Sequence, residues 1–146
     1  MPKALVVYAT RTGKTKEIAD QITEGVKLAG SEVKIVDVRS IKNESDIRGY
    51  DGYVFGSATY HGEMMEAMKT MLFMAEKANL DGKIGGAFGS YGWSGEAPDR
   101  IYQTMKNIFN MKMVNGALRI KSPASFGDAQ LAQAYGREIG QKIKAY

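Results

Sequence analysis

Three threonines surround a single glycine in the stretch TRTGKT, residues 10–15, directly after a near-continuous apolar run from Lys3 to Ala9. Hydroxyls and main-chain N–H groups gathered at a helix N-terminus bind an anion without help from a metal. The closing Gly-Lys-Thr is shared with the loop that cradles the phosphates of ATP. That loop, however, needs a glycine where Tyr8 stands here, and a tyrosine cannot supply its wrapped backbone. The dinucleotide fingerprint Gly-x-Gly-x-x-Gly is absent as well, because Gly13 is the only glycine of the turn. The alternatives left are a threonine-rich helix cap and a phosphate-monoester site. A cap needs one hydroxyl, and three around a glycine favour the phosphate.

Two further stretches carry the same mixture of glycine, small hydroxyl residues and aromatics: GSATYHGEM, residues 56–64, and GSYGWSGEA, residues 89–97. Tyr60, Tyr91 and Trp93, the sole tryptophan, are expected to converge on one spot. A flat ring held between aromatic faces gains about 1 kcal/mol per contact beyond its burial. A phosphate at the first stretch and a planar ring between the other two together describe flavin mononucleotide (FMN).

The composition narrows the chemistry. The 146 residues contain no cysteine and one histidine, His61. Thiolate nucleophiles, disulfides, iron–sulfur clusters and cysteine-ligated zinc are excluded. No grouping of histidine with carboxylates suggests another metal, so an organic cofactor is the better carrier of any reaction. The net charge of +4 comes from scattered lysines and arginines, which read as a solvated surface and not as a nucleic-acid site. No stretch approaches the roughly 18 apolar residues of a membrane span, and MPKALVV lacks the length and cleavage site of a secretory signal. A cytoplasmic location is expected.

The elements that must position these stretches follow from hydrophobic period. Apolar runs at Lys3–Ala9, EVKIVDV, GYVFGSA, KIGGAFGS and ALRIKSPAS read as five strands. Between them lie helical stripes: Ile18, Ile22 and Val26, ending near Gly30; Met64, Met68, Met71, Leu72 and Ala75; and Ile101, Met105, Ile108 and Phe109 after Pro98. A short helical turn fits NESDIRGY, with Asn43 or Ser45 as N-cap. A last helix starts near Asp128 and carries Leu131, Tyr135, Ile139 and Ile143. The methionines have ordinary helical spacing and read as core filler, not as a copper site. Five β-α alternations imply an α/β fold, a doubly wound five-stranded parallel sheet with helices on both faces. Residues 1–146 read as one domain. In such sheets ligands sit at the C-terminal strand edges, where all three stretches fall.

With these residues in view, the chain resembles the flavodoxin family over nearly its whole length. TRTGKT matches the family's Thr/Ser-x-Thr-Gly-x-Thr phosphate loop, and the absence of an insertion in ALRIKSPAS is similar to the short-chain type. GSATYHGEM and GSYGWSGEA resemble more specifically the flavodoxin-like domain of flavodiiron proteins. Those proteins carry a separate metal domain rich in histidine and acidic ligands, for which this chain has neither the histidines nor the room.

The resemblance implies the flavodoxin-like strand order 2-1-3-4-5 in a three-layer α/β/α arrangement, and FMN as cofactor. It implies that Thr10, Arg11, Thr12, Gly13, Lys14 and Thr15 hold the phosphate. Ser57, Ala58, Thr59, Tyr60, His61 and Gly62 would line one side of the flavin, and Ser90, Tyr91, Gly92, Trp93 and Gly95 the other. The implied function is one-electron transport between redox proteins through a flavin semiquinone, with no catalytic side chain and no metal. The main-chain peptides around His61 and Gly62 would tune the cofactor, a glycine allowing the peptide to rotate. Two features depart from the family: most flavodoxins are strongly acidic, and many place Gly-Asp where this loop reads His61-Gly62-Glu63. The positive charge suggests acidic partners of ferredoxin or rubredoxin kind. An FMN-dependent NAD(P)H:quinone reductase and a flavodoxin-like module dedicated to one enzyme partner are the alternatives. A phosphoacceptor regulator is not, because VVYATRTG has no aspartate at the end of the first strand.

Overall fold

The computed structural model describes residues 1–92, 94–121 and 127–145. Strand β1 (Lys3–Ala9) lies at the centre of the sheet, between β2 (Glu32–Asp37) and β3 (Gly52–Ser57), and β6 (Ile84–Tyr91) continues beyond β3. All these pairings are parallel. β3 is buried at every position and β6 at all but its last, as strands covered on both faces must be. The outer β2 alternates more freely with solvent.

Helices α1 (Lys14–Leu28) and α4 (Asp128–Ala145) cover one face, packing Ile18, Ile22 and Val26 with Tyr135, Ile139 and Ile143 on Val6, Val54 and Phe88. Helices α2 (Glu66–Lys77) and α3 (Glu96–Asn107) cover the other, with Met68, Met71, Ile101 and Met105 on Leu5, Val7 and Phe55. The methionine stripe is therefore core. In the 3₁₀ turn at Glu44–Asp46 the cap is Asn43, whose side chain accepts from the Ser45 amide at 3.0 Å. The fold class, the three layers and the strand order are those the sequence leads one to expect.

Several local expectations need correction. Ile108 and Leu131 are 61% and 57% exposed, so neither belongs to a core stripe. Ile108 lies one residue past the end of α3, and in α4 the inward face is Ala132, Tyr135, Ile139 and Ile143. The stretch after β3 is not a plain loop. β4 (Thr59–Tyr60) and β5 (Glu63–Met64) form an antiparallel hairpin.

The fifth strand is divided. β7 (Lys112–Met113) pairs with Ile84 and Gly85, and β8 (Leu118–Lys121) pairs with Phe88 to Tyr91. Residues 122–125 of the strand expected at ALRIKSPAS lie outside the described residues. Between its two parts the outer chain loops away from β6 and leaves the Ala87 amide without a strand partner. Tyr135 takes that place from α4: its phenol oxygen accepts from Ala87 N–H at 3.0 Å and donates to the Gly116 carbonyl at 2.9 Å. From the opposite face the Tyr102 hydroxyl donates to the Val114 carbonyl at 2.6 Å and accepts from Gly116 N–H at 3.3 Å. Burial pushes the Tyr135 phenol well above its ordinary pKa, so it remains a donor. Removing its oxygen strands a buried amide and a carbonyl. Tyr135→Phe is expected to cost about 1–3 kcal/mol, read as a lower urea midpoint with an unchanged slope.

Candidate functional site

The first, third and fourth main strands end together. Ala9 lies opposite Ser57, Gly56 opposite Phe88, and the Ala58 amide donates to the Ala9 carbonyl at 3.2 Å. The three stretches singled out in the sequence therefore leave the sheet along one rim.

Loop 10–13 turns the chain from β1 into α1. The Gly13 amide donates to Thr10 Oγ1 at 2.9 Å, which closes the loop on itself. Gly13 has φ 93°, the left-handed region that favours glycine, and no atom stands within 4 Å of where a Cβ would be. No side chain caps α1, and the first intrahelical bond is Glu17 N–H to the Gly13 carbonyl at 3.1 Å. The amides of Lys14, Thr15 and Lys16 precede it and open toward the loop. The half-exposed Lys14 adds a cation, 3.9 Å from Glu17. This is an open, donor-rich cradle at a helix N-terminus, and it fits a phosphate.

The predicted hydroxyls do not all face this cradle. Thr12 is exposed. Thr15 is buried, and its Oγ1 lies 2.7 Å from Ser90 Oγ, 75 residues away in the chain. Ser57 is fully buried, donating to the Ala58 carbonyl and accepting from Met65 N–H, both at 2.9 Å. Thr15, Ser57 and Ser90 thus frame the rim from inside.

The residues expected beside the ring are joined to those expected at the phosphate. The Arg11 guanidinium lies over the Tyr60 ring, 4.3 Å from its centroid, and the His61 ring meets Tyr60 edge-on at 4.4 Å. Such a cation–π contact at an exposed site is worth about 0.5–1 kcal/mol. His61 and Gly62 form the two-residue turn of the β4–β5 hairpin, with φ 52° and 75°. Two positive φ values in a row make a type I′ turn, the connection that matches strand twist. Across the rim, Tyr91 is partly exposed and its ring covers Gly95, while Gly92 is exposed with open space at its Cβ position. Trp93 lies outside the described residues.

The hairpin rests on the start of α3. Thr59 Oγ1 accepts from Ala97 N–H at 3.1 Å, and Glu63 bridges Lys69 at 3.3 Å and Arg100 at 3.4 Å. Glu96, absent from the sequence-based site, reaches the same turn, and its Oε1 is buried with no hydrogen-bond partner. Nothing local in GSYGWSGEA marks that carboxylate.

The model of the family described as flavodoxin matches residues 6–134. The chain belongs to the flavodoxin family. It is 31% identical to a flavodoxin of Clostridium saccharobutylicum, a match covering 97% of this chain and 98% of the relative. An archaeal flavodoxin structure superposes with a TM-score of 0.92 at 33% identity, covering 97% of this chain and 99% of that one. The chain is also 30% identical to the type A flavoprotein fprA of Rhodobacter capsulatus, covering 95% of this chain and 33% of the relative. The flavodiiron protein of Giardia intestinalis has the same fold, with a TM-score of 0.90 at 22% identity over 99% of this chain and 36% of that one. The chain thus spans a quarter to a third of the longer flavoproteins it matches. As a member of this family it is an FMN-binding electron-transfer flavodoxin. No helix among the described residues is long and apolar enough to cross a membrane.

Proposed function

We propose that residues 1–146 work as one domain and as a one-electron carrier between two redox proteins. Thr10, Arg11, Thr12, Gly13, Lys14 and Thr15 hold the FMN phosphate in this reading. Ser57 to Gly62 and Ser90, Tyr91, Gly92, Trp93 and Gly95 enclose the ring. Bound FMN supplies the reversible one-electron chemistry, and the chain's own residues bind, orient and shield it. The observation that carries the reading is the set of cross-ties along one rim: Thr15 to Ser90, Arg11 to Tyr60 and Ala97 to Thr59. They join three loops from distant parts of the chain into one preorganised seat, so little ordering is left for the ligand to impose. Uncapped amides with Arg11 and Lys14 suit the phosphate end, and partly exposed tyrosines suit the ring end. The net charge of +4 favours acidic partners, which it would steer electrostatically.

Calorimetry on the apoprotein is expected to show one FMN bound at micromolar concentration or below, with riboflavin weaker. No uptake of FMN would overturn the seat. NADPH added anaerobically to the FMN-loaded protein should leave the flavin absorbance unchanged. Prompt bleaching would instead make the protein a reductase that takes hydride directly.

A further inference from the structure

Among the described residues, one buried polar side-chain atom has no hydrogen-bond partner: Oε1 of Glu96. An acceptor buried without a partner is costly and calls for an explanation. Glu96 opens α3, where the helix dipole favours a carboxylate but gives Oε1 no bond. The same carboxylate lies along the His61–Gly62 turn, and a Cβ placed on Gly62 would stand 3.6 Å from Oε2. The first turn of α3 also holds this hairpin through Ala97 to Thr59 and Arg100 to Glu63. An unused acceptor is therefore built into the platform on which the hairpin rests.

Two-residue hairpin turns come in two forms that differ by rotation of the central peptide. In type I′ both central residues have positive φ, as His61 and Gly62 do. Rotating the peptide between them gives type II′, in which only the first keeps positive φ. Glycine takes either sign, so Gly62 permits the exchange. Because the peptide is planar and trans, its N–H and C=O point in opposite directions. Directing the Gly62 N–H at Glu96 directs the His61 carbonyl away from α3.

We propose that Glu96 is a positioning residue for this turn: its carboxylate, with Oε1 unpartnered and Oε2 facing Gly62, is the acceptor that the Gly62 N–H takes when the His61–Gly62 peptide rotates, and it thereby sets the balance between the two turn forms. The inference rests on the reading of residues 57–62 as one wall of the FMN seat. The rotated form presents the His61 carbonyl as an acceptor at that wall, which favours the cofactor form that carries an added proton and electron. Glu96 thus acts on the potential through main chain, with no contact of its own to the cofactor required.

Glu96→Gln and Glu96→Ala, both FMN-loaded, separate this role from plain charge. Each removes a negative charge near the seat, but the added proton cancels the added electron, so the charge change alone moves the first one-electron potential little, and equally in both variants. Only Ala also removes the acceptor, because the Gln amide oxygen keeps it. The expected result is a first midpoint potential in Gln close to that of wild type, and clearly more negative in Ala than in either. FMN dissociation constants should stay within about threefold of wild type in both. Coinciding potentials in Gln and Ala, with both variants binding FMN, would overturn the positioning role and leave the FMN seat intact. Failure of the wild-type chain to bind FMN would overturn both.

Discussion

Thr12→Glu is expected to weaken FMN binding by roughly 30- to 150-fold while leaving riboflavin affinity within a factor of about two. Thr12 is exposed in the open loop between β1 and the uncapped start of α1. A glutamate there sets a negative charge beside the proposed seat of a phosphate monoester that itself carries nearly two. At about 6 Å and an effective dielectric of about 20, one pair of like charges costs about 3 kcal/mol. Solvent screening at this exposed position trims the net to about 2–3 kcal/mol. The carboxylate also competes for the amides of Lys14 and Thr15, as acidic side chains do at helix N-termini. Riboflavin has the ring without the phosphate, so it feels neither effect. Paired fluorescence titrations with the two ligands decide the matter. Equal weakening of both would show that the loop does not read the phosphate.

Gly136→Ala is expected to destabilise the protein by about 3 kcal/mol, against the direction of helix propensity. In an exposed helix this change gains about 1 kcal/mol. Here a Cβ at Gly136 would stand 2.0 Å from the Ile22 carbonyl oxygen of α1. That neighbour is backbone inside a helix, so relief requires the two helices to move apart. Gly25 meets α4 in the same way, 2.0 Å from the Gln133 carbonyl, so the contact is made from both sides. Separation would open the packing of Ile22, Val26 and Ile139, all fully buried. Thermal unfolding should show a fall of roughly 6–12 °C, at about 2–4 °C per kcal/mol for a domain of this size. Ala134→Gly, on the exposed side of the same helix, should cost only the propensity term of about 1 kcal/mol. If Gly136→Ala raised the unfolding temperature, the close α1–α4 approach would not exist in solution.

The parts of this molecule that were legible in its sequence are those that repeat locally. β1, β3 and β6 are covered on both faces, so they appear as apolar runs, and their order along the chain with right-handed crossovers leaves few topologies. The turn from β1 into α1 was legible because three hydroxyls and a glycine fall within six consecutive residues. The His61-Gly62 hairpin left a faint signal, a glycine in a two-residue turn beside a histidine, a residue type tolerant of positive φ. Ile108 and Leu131 misled because a hydrophobic residue at helical spacing has no mark that says whether a neighbour covers it.

Buried faces, chain turns and the three stretches that reach one rim can be read locally, because burial and turn chemistry leave their period in neighbouring residues. Which residue meets which is settled in the folded chain. Thr15 finds Ser90 across 75 residues and Tyr135 completes β6 at Ala87 across 48. Gly136 lets α4 touch α1, and Glu96 brings Oε2 beside Gly62 while its Oε1 is left unpaired. Hydrogen bonds and steric contacts depend on distances of a few tenths of an ångström between segments far apart in the chain. Local sequence carries no record of those distances until the sheet brings the segments together.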